Sequence, residues 1–136
     1  MSYSVHNPES ESSLILVCDH AGNAIPAHYH NLGVDDAVLR EHVAWDIGAR
    51  NVTEVLAERF ECTAIESRYS RLLVDLNRFP EHPTWIPATS DGIAIPGNQG
   101  LSEVERNKRA QEYFWPYQNA VAQATSACRA AGRTPF

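Results

Sequence analysis

The chain has 136 residues, 43% of them hydrophobic, and a formal net charge of −6. That length suits one domain with an ordinary core, and the acidic balance disfavours a nucleic-acid or anionic-membrane surface. Cys18, Cys62 and Cys128 are far apart and odd in number, which excludes a disulfide framework. The first residues lack the basic and apolar regions of a signal peptide, and no run reaches membrane-spanning length, so the expected location is cytoplasmic.

Residues 1–12 read as a loose, polar lead-in to a single α/β domain over 13–136. Ser13 to Cys18 carries the run Leu-Ile-Leu-Val, and Gly22, Asn23 and Pro26 break the chain soon after. A short apolar run bounded by turn residues predicts a buried strand of a parallel sheet. Ligands in open α/β sheets collect at the carboxyl ends of strands. Asp19 and His20 fall at such an end, so His20 is the first candidate for a metal ligand or catalytic group. The loop that follows holds His28 and His30, whose spacing in a polar segment suits solvated histidines better than ligands.

Asp35-Asp36 opens a short helix to about His42, and a second helix is predicted from about Trp45 to Phe60. Gly48, Val52, Val55, Leu56 and Phe60 follow three-four spacing and predict its buried face. Asp46 then falls in the first turn, where a carboxylate favours the dipole, or turns back to meet His20. Cys62 to Glu66 predicts a second strand and Leu72 to Leu76 a third. Asp75 interrupts the third run, and a carboxylate there is costly unless paired. Arg71 or Arg78 is the natural partner. Residues 79–100, punctuated by proline and glycine, predict a packed lid or binding loop around Trp85, Ile86 and Ile95. Ser102 and Glu105 form a capping box for a final helix that Pro116 must kink or split and Gly132 ends.

The chemistry-bearing cations are almost all arginine: ten, against the single Lys108. Arginine's planar fork suits carboxylate and phosphate. Arg68, Arg71 and Arg78 lie close together in sequence.

Four stretches in order, Val17–Pro26, His42–Ala49, Ser67–Arg78 and Ile95–Asn98, resemble the N-formylglutamate amidohydrolase family. The resemblance spans nearly the whole chain but about the first half of the family's domain. It implies an α/β fold with a mostly parallel sheet flanked by helices, hydrolase-like in the manner of the zinc exopeptidases and phosphorylases, and incomplete in this chain. It implies zinc as cofactor and hydrolysis of a linear amide: deformylation of N-formyl-L-glutamate or a related N-acyl amino acid, as in histidine breakdown. His20 and Asp46 match metal positions, and a further histidine and a late acidic base would lie downstream in the family. Carboxypeptidases have glutamate three residues after the first histidine. Here Asn23 stands there, a neutral amide and a poor zinc ligand, so it is assigned to the substrate side. Asn77 and Arg78 resemble a carboxylate-holding Asn-Arg pair. Arg71 would hold a second carboxylate or polarise the acyl oxygen, with Arg68 as a further candidate.

Two other readings stand beside this one. Cys18 and His20, two apart on a strand, share a face and suggest a thiol hydrolase. A half-length chain also suggests a non-catalytic remnant, or a carboxylate-binding module that pairs with a second copy through an open sheet edge.

Overall fold

The computed structural model describes residues 1–136. Three strands form the main sheet: β1 (Tyr3–His6), β2 (Ile15–Cys18) and β3 (Thr63–Ser67), in the order β1-β3-β2. β2 runs parallel to β3, whereas β1 is antiparallel to it. The sheet is therefore mixed, not mostly parallel as expected, and the supposed lead-in supplies one of its strands. The connection explains the direction. His6 pairs with Ala64 and Ile15 with Thr63, so β1 ends and β2 begins at the same end of β3. Asn7, at φ 47°, turns the chain there, and its side chain donates to the carbonyls of Ala57 and Cys62. Asparagine tolerates this left-handed backbone better than most residues.

Alternation along β3 sends neighbouring residues to opposite faces. Ala64 packs in a small cluster with Ala57 and Cys62. Ala57 belongs to α1 (Ala49–Arg59). Ile65 instead joins the main core with Leu72, Leu73, Ile95, Tyr113, Phe114 and Tyr117. Helix α1 does not bury the face expected of it. Val52, Val55 and Phe60 are each more than half exposed, while Ala57 is buried. Thr53 and Ala57 are small enough to let the helix lie close to the sheet, and the larger residues are left outside.

Leu72–Leu76 is fully buried but is not a strand. Side chains take the place of a neighbouring strand. Asn98 Nδ2 donates to Leu72 O at 2.8 Å, Arg109 Nη1 to Leu73 O at 3.2 Å, and Gln118 Nε2 to Leu76 O at 2.8 Å. Buried backbone must be satisfied somewhere, and here one arginine and two amides do it. The following segment packs as expected through Trp85, Ile86 and Ile95. It also contains a small hairpin, β4 (Thr89–Ser90) and β5 (Ile93–Ala94), turned at Asp91-Gly92 with both residues at positive φ. Asp-Gly suits such a turn.

Helix α2 (Glu103–Arg109) starts as the capping box predicts, with Ser102 Oγ accepting from Glu105 N at 3.2 Å. A π-helical turn, Ala110–Phe114, then leads into α3 (Trp115–Ala130). The α-helix is thus interrupted just before Pro116, by a π turn that divides α2 from α3. The wider turn precedes it, and the proline sits in the first turn of α3, where its missing N–H costs little. The backbone of Phe136 pairs with Ser13 and Ile15, covering the start of β2's outer edge. No helix is long and apolar enough to cross a membrane.

Candidate active site

His20 lies two residues past the end of β2 and is 7% exposed. Its Nε2 lies 2.8 Å from Asp75 Oδ1, and its Nδ1 lies 3.4 Å from Asp46 Oδ2. Backbone contacts bring these groups together. Asp46 N donates to His20 O at 3.0 Å. Arg71 N and Ser70 Oγ both donate to Ala44 O, at 3.1 and 2.8 Å. Ser70 N donates to Ala24 O at 2.9 Å, and Ala24 bridges Tyr69. The loop after β2, the turn before α1 and the segment after β3 are thereby laced into one wall. Asp46 lies in that turn, ahead of the helix it was expected to begin.

Asp75 is 3% exposed and is the anchor of the group. Besides His20 it accepts from the Asn77 amide at 2.9 Å and from Arg71 Nη2 at 3.2 Å. Burial on its own would raise the Asp75 carboxyl. The His20 hydrogen bond and charge, the Asn77 amide and Arg71 together outweigh it and hold the carboxyl below its ordinary value. Arg71 also reaches Asp46 Oδ1 at 3.7 Å. Two carboxylates, one imidazole and one guanidinium therefore form a closed ring of contacts. Of the two acids, Asp46 is the exposed one, with its side chain 56% accessible. Behind the site, Tyr117 of α3 donates to Asp19 Oδ1 at 2.6 Å and braces the end of β2.

Sequence reading named His20, Asp46 and Arg71, and the structure places them together. The sequence marks Asp75 as a buried acid needing a partner, but not as the residue that orients His20. The signal was the carboxylate inside an apolar run. None of the remaining candidates brings its side chain into the ring, and only the Asn77 backbone amide meets it. Asn77 and Arg78 line a cleft of about 580 Å³ with Phe79, His82, Trp115 and Gln118. Arg78 does not pair with Asp75, and its Nη1 donates to Asn77 O. Asn23 and Arg68 line a different cleft, with Trp45 and Arg50. Asn23 Nδ2 donates to Leu39 O at 2.9 Å. Neither ring nitrogen of His20 faces Cys18, and burial pushes the Cys18 thiol up, away from the thiolate a nucleophile needs.

The donor set can be tested against a metal ion. Asp75 takes one ring nitrogen of His20 and leaves the other beside Asp46, the pattern in which a carboxylate orients a ligating histidine. The 3.4 Å between Nδ1 and Asp46 Oδ2 is close to the separation of roughly 3.3 Å expected for two ligands of one tetrahedral zinc. The residues present fit a metal on the Asp46 side of the ring.

A buried acid, an oriented imidazole and an accessible carboxylate therefore meet at a strand end of a mixed α/β scaffold. The chain belongs to the N-formylglutamate amidohydrolase family, whose model matches residues 12–136. The chain is also similar to the crystal structure of gene product Atu2144 from Agrobacterium tumefaciens, at 39% identity and a TM-score of 0.96. The match covers 98% of this chain and 53% of that one, so the chain spans about half of that protein's length. No match was found among functionally curated proteins.

Proposed function

We propose that His20, Asp46, Arg71 and Asp75 form the metal-binding side of an amidohydrolase site acting on a small N-acyl amino acid, with N-formyl-L-glutamate as the first substrate to test. The observation that carries the reading is the His20 ring, fixed by Asp75 on one nitrogen with Asp46 beside the other. His20 and Asp46 would hold a zinc ion, which when bound supplies a Lewis acid and an acidified water. The chain's own groups do the rest. Asp75 holds the imidazole in one orientation. Arg71 ties Asp46 to Asp75, and its exposed edge offers donors to an acyl oxygen or a carboxylate. Asn77 and Arg78, in the neighbouring cleft, offer a second carboxylate-binding position.

The edge position of β2, which Phe136 covers only at its start, favours a second reading, in which this chain binds carboxylate ligands without turnover and pairs with a second copy along that edge. One experiment separates the two. Zinc content and formate release from N-formyl-L-glutamate are measured for the wild type, His20→Ala and Asp46→Asn, before and after chelation. The hydrolase reading expects formate release that both substitutions and the chelator abolish. Ligand binding with no formate release supports the second reading. Formate release that survives chelation and both substitutions overturns the first.

A further inference from the structure

On the α1 face of the sheet lies one group of three metal-ligating side chains, distinct from the residues of the ring around His20: His6, Glu54 and Glu66, with donor atoms all within 4.8 Å of one another. They come from β1, α1 and β3. The register accounts for the meeting. Ser4 pairs with Glu66, so His6, two residues on, shares its face and lies one diagonal away. His6 Nε2 is 3.0 Å from Glu66 Oε2 and 4.0 Å from Glu54 Oε1.

The independent sign of a missing ligand is Glu66 itself. It is 1% exposed, and its Oε1 has no hydrogen-bond partner. Arg50 is the only guanidinium near it, with Nε 3.8 Å from Oε2, and that Nε is also without a partner. Arg50 commits Nη2 to Ser67 O instead. Oε2 meets His6 and lies near the Arg50 charge, but Oε1 and the Arg50 Nε–H are both buried without a hydrogen bond, which is costly for each. We infer that His6, Glu54 and Glu66 form a second divalent-cation site, of the nitrogen-and-carboxylate type that suits zinc. The half-exposed His6 and Glu54 leave a further position open to water. A cation there would staple β1 and α1 to the central strand.

Zinc alone is the probe, with affinity and stoichiometry read by chelator competition on the full chain at neutral pH. His6→Ala and Glu54→Gln alter partly exposed groups and are expected to remove one equivalent, or to weaken its binding about tenfold or more. Asp46→Asn should leave this equivalent in place, which keeps the result separate from the fate of the His20 site. Arg50→Met removes the competing positive charge and should tighten zinc binding, an effect that a purely structural ion pair does not produce. Zinc should also raise the melting temperature of Asp46→Asn but not of Asp46→Asn combined with His6→Ala. Equal stoichiometry and affinity in wild type, His6→Ala and Glu54→Gln overturn the proposal, as does zinc binding that Asp46→Asn alone abolishes.

Discussion

Asp75 reaches His20 at 2.8 Å from inside a segment whose other members, Leu72, Leu73, Val74 and Leu76, are all buried hydrophobics. Residues 55 positions apart in sequence thus share one hydrogen bond in the interior. The acid stays charged because imidazole, amide and guanidinium converge on it.

Asp75→Asn keeps the shape and removes the charge. It leaves Arg71 without its closest partner and turns one carboxylate oxygen into a donor. Breaking a buried pair from one side costs about 3–5 kcal/mol. Urea unfolding of the variant should show a loss of that order, whereas a change under about 0.5 kcal/mol would mean that the pairing contributes nothing.

Arg109 is the second buried charge to test. Its Nη1 serves Leu73 O and Asn98 Oδ1, at 3.2 and 2.7 Å, its Nη2 serves Gly97 O, and the group lies over the Tyr29 ring. Lysine cannot reproduce that fork. Arg109→Lys should cost about 3 kcal/mol or more. A double-mutant cycle with Asn98→Ala should return a coupling of about 1–3 kcal/mol, because Arg109 donates directly to Asn98 Oδ1 and the two side chains hold adjacent carbonyls, Leu73 O and Leu72 O.

Gly22→Ala and Gly48→Ala separate two reasons for glycine. A Cβ on Gly22 would sit 2.1 Å from the Arg68 carbonyl oxygen, so the backbones must part. Gly48 is at φ +86° with open space around it and pays for a side chain only in backbone strain. Thermal melts should show a large loss for Gly22→Ala, about 3 kcal/mol or more, and about 1 kcal/mol for Gly48→Ala. Equal losses would contradict the close approach.

Tyr117 predicts an alkaline limit. Burial first, and then the Asp19 charge it donates to, push its hydroxyl well above the ordinary tyrosine range. A folded pKa above the unfolded one gives stability that is complete below the unfolded value, about 10, and is lost as pH rises beyond it. The loss is about 1.4 kcal/mol per pH unit for one such group. Tyr117→Phe lacks that group, so its stability should fall by about 1 kcal/mol less in denaturant titrations between pH 10 and 11, where the unfolded tyrosine is still titrating. Parallel pH profiles for the two proteins would refute the assignment.

What the sequence made legible follows the physics of each segment. β2 and β3 were readable because a continuous apolar or β-branched run has few other uses. β1, Tyr-Ser-Val-His in a polar stretch, was not, because its pairing with β3 is decided by tertiary contact. Leu72–Leu76 read as a strand since burial on every side produces the same composition. Only the side chains of Asn98, Arg109 and Gln118 distinguish the two, and they lie far along the chain. Helix α1 reversed the amphipathic rule, with valines outward and Thr53 and Ala57 inward. At the site, His20, Asp46 and Arg71 carried their own signals of strand end and motif. Asn23 and Arg78 follow from the family resemblance, with Arg68 as a further candidate, and the side chains of Asn23 and Arg78 bond to backbone carbonyls outside the ring.

The contact between Gly22 and Arg68 also bears on motion. With no side chain between them, and with Ala24 bridged to Tyr69, the loop behind His20 and the segment leading to Arg71 are in register as one plate. Neither can swing alone on a ligand. A ligand that moves the Arg71 backbone must carry the His20 loop with it, so the two backbone segments keep their separation during any closure. Nuclear relaxation or hydrogen exchange across residues 20–24 and 68–71 should therefore report a single shared opening rate rather than two.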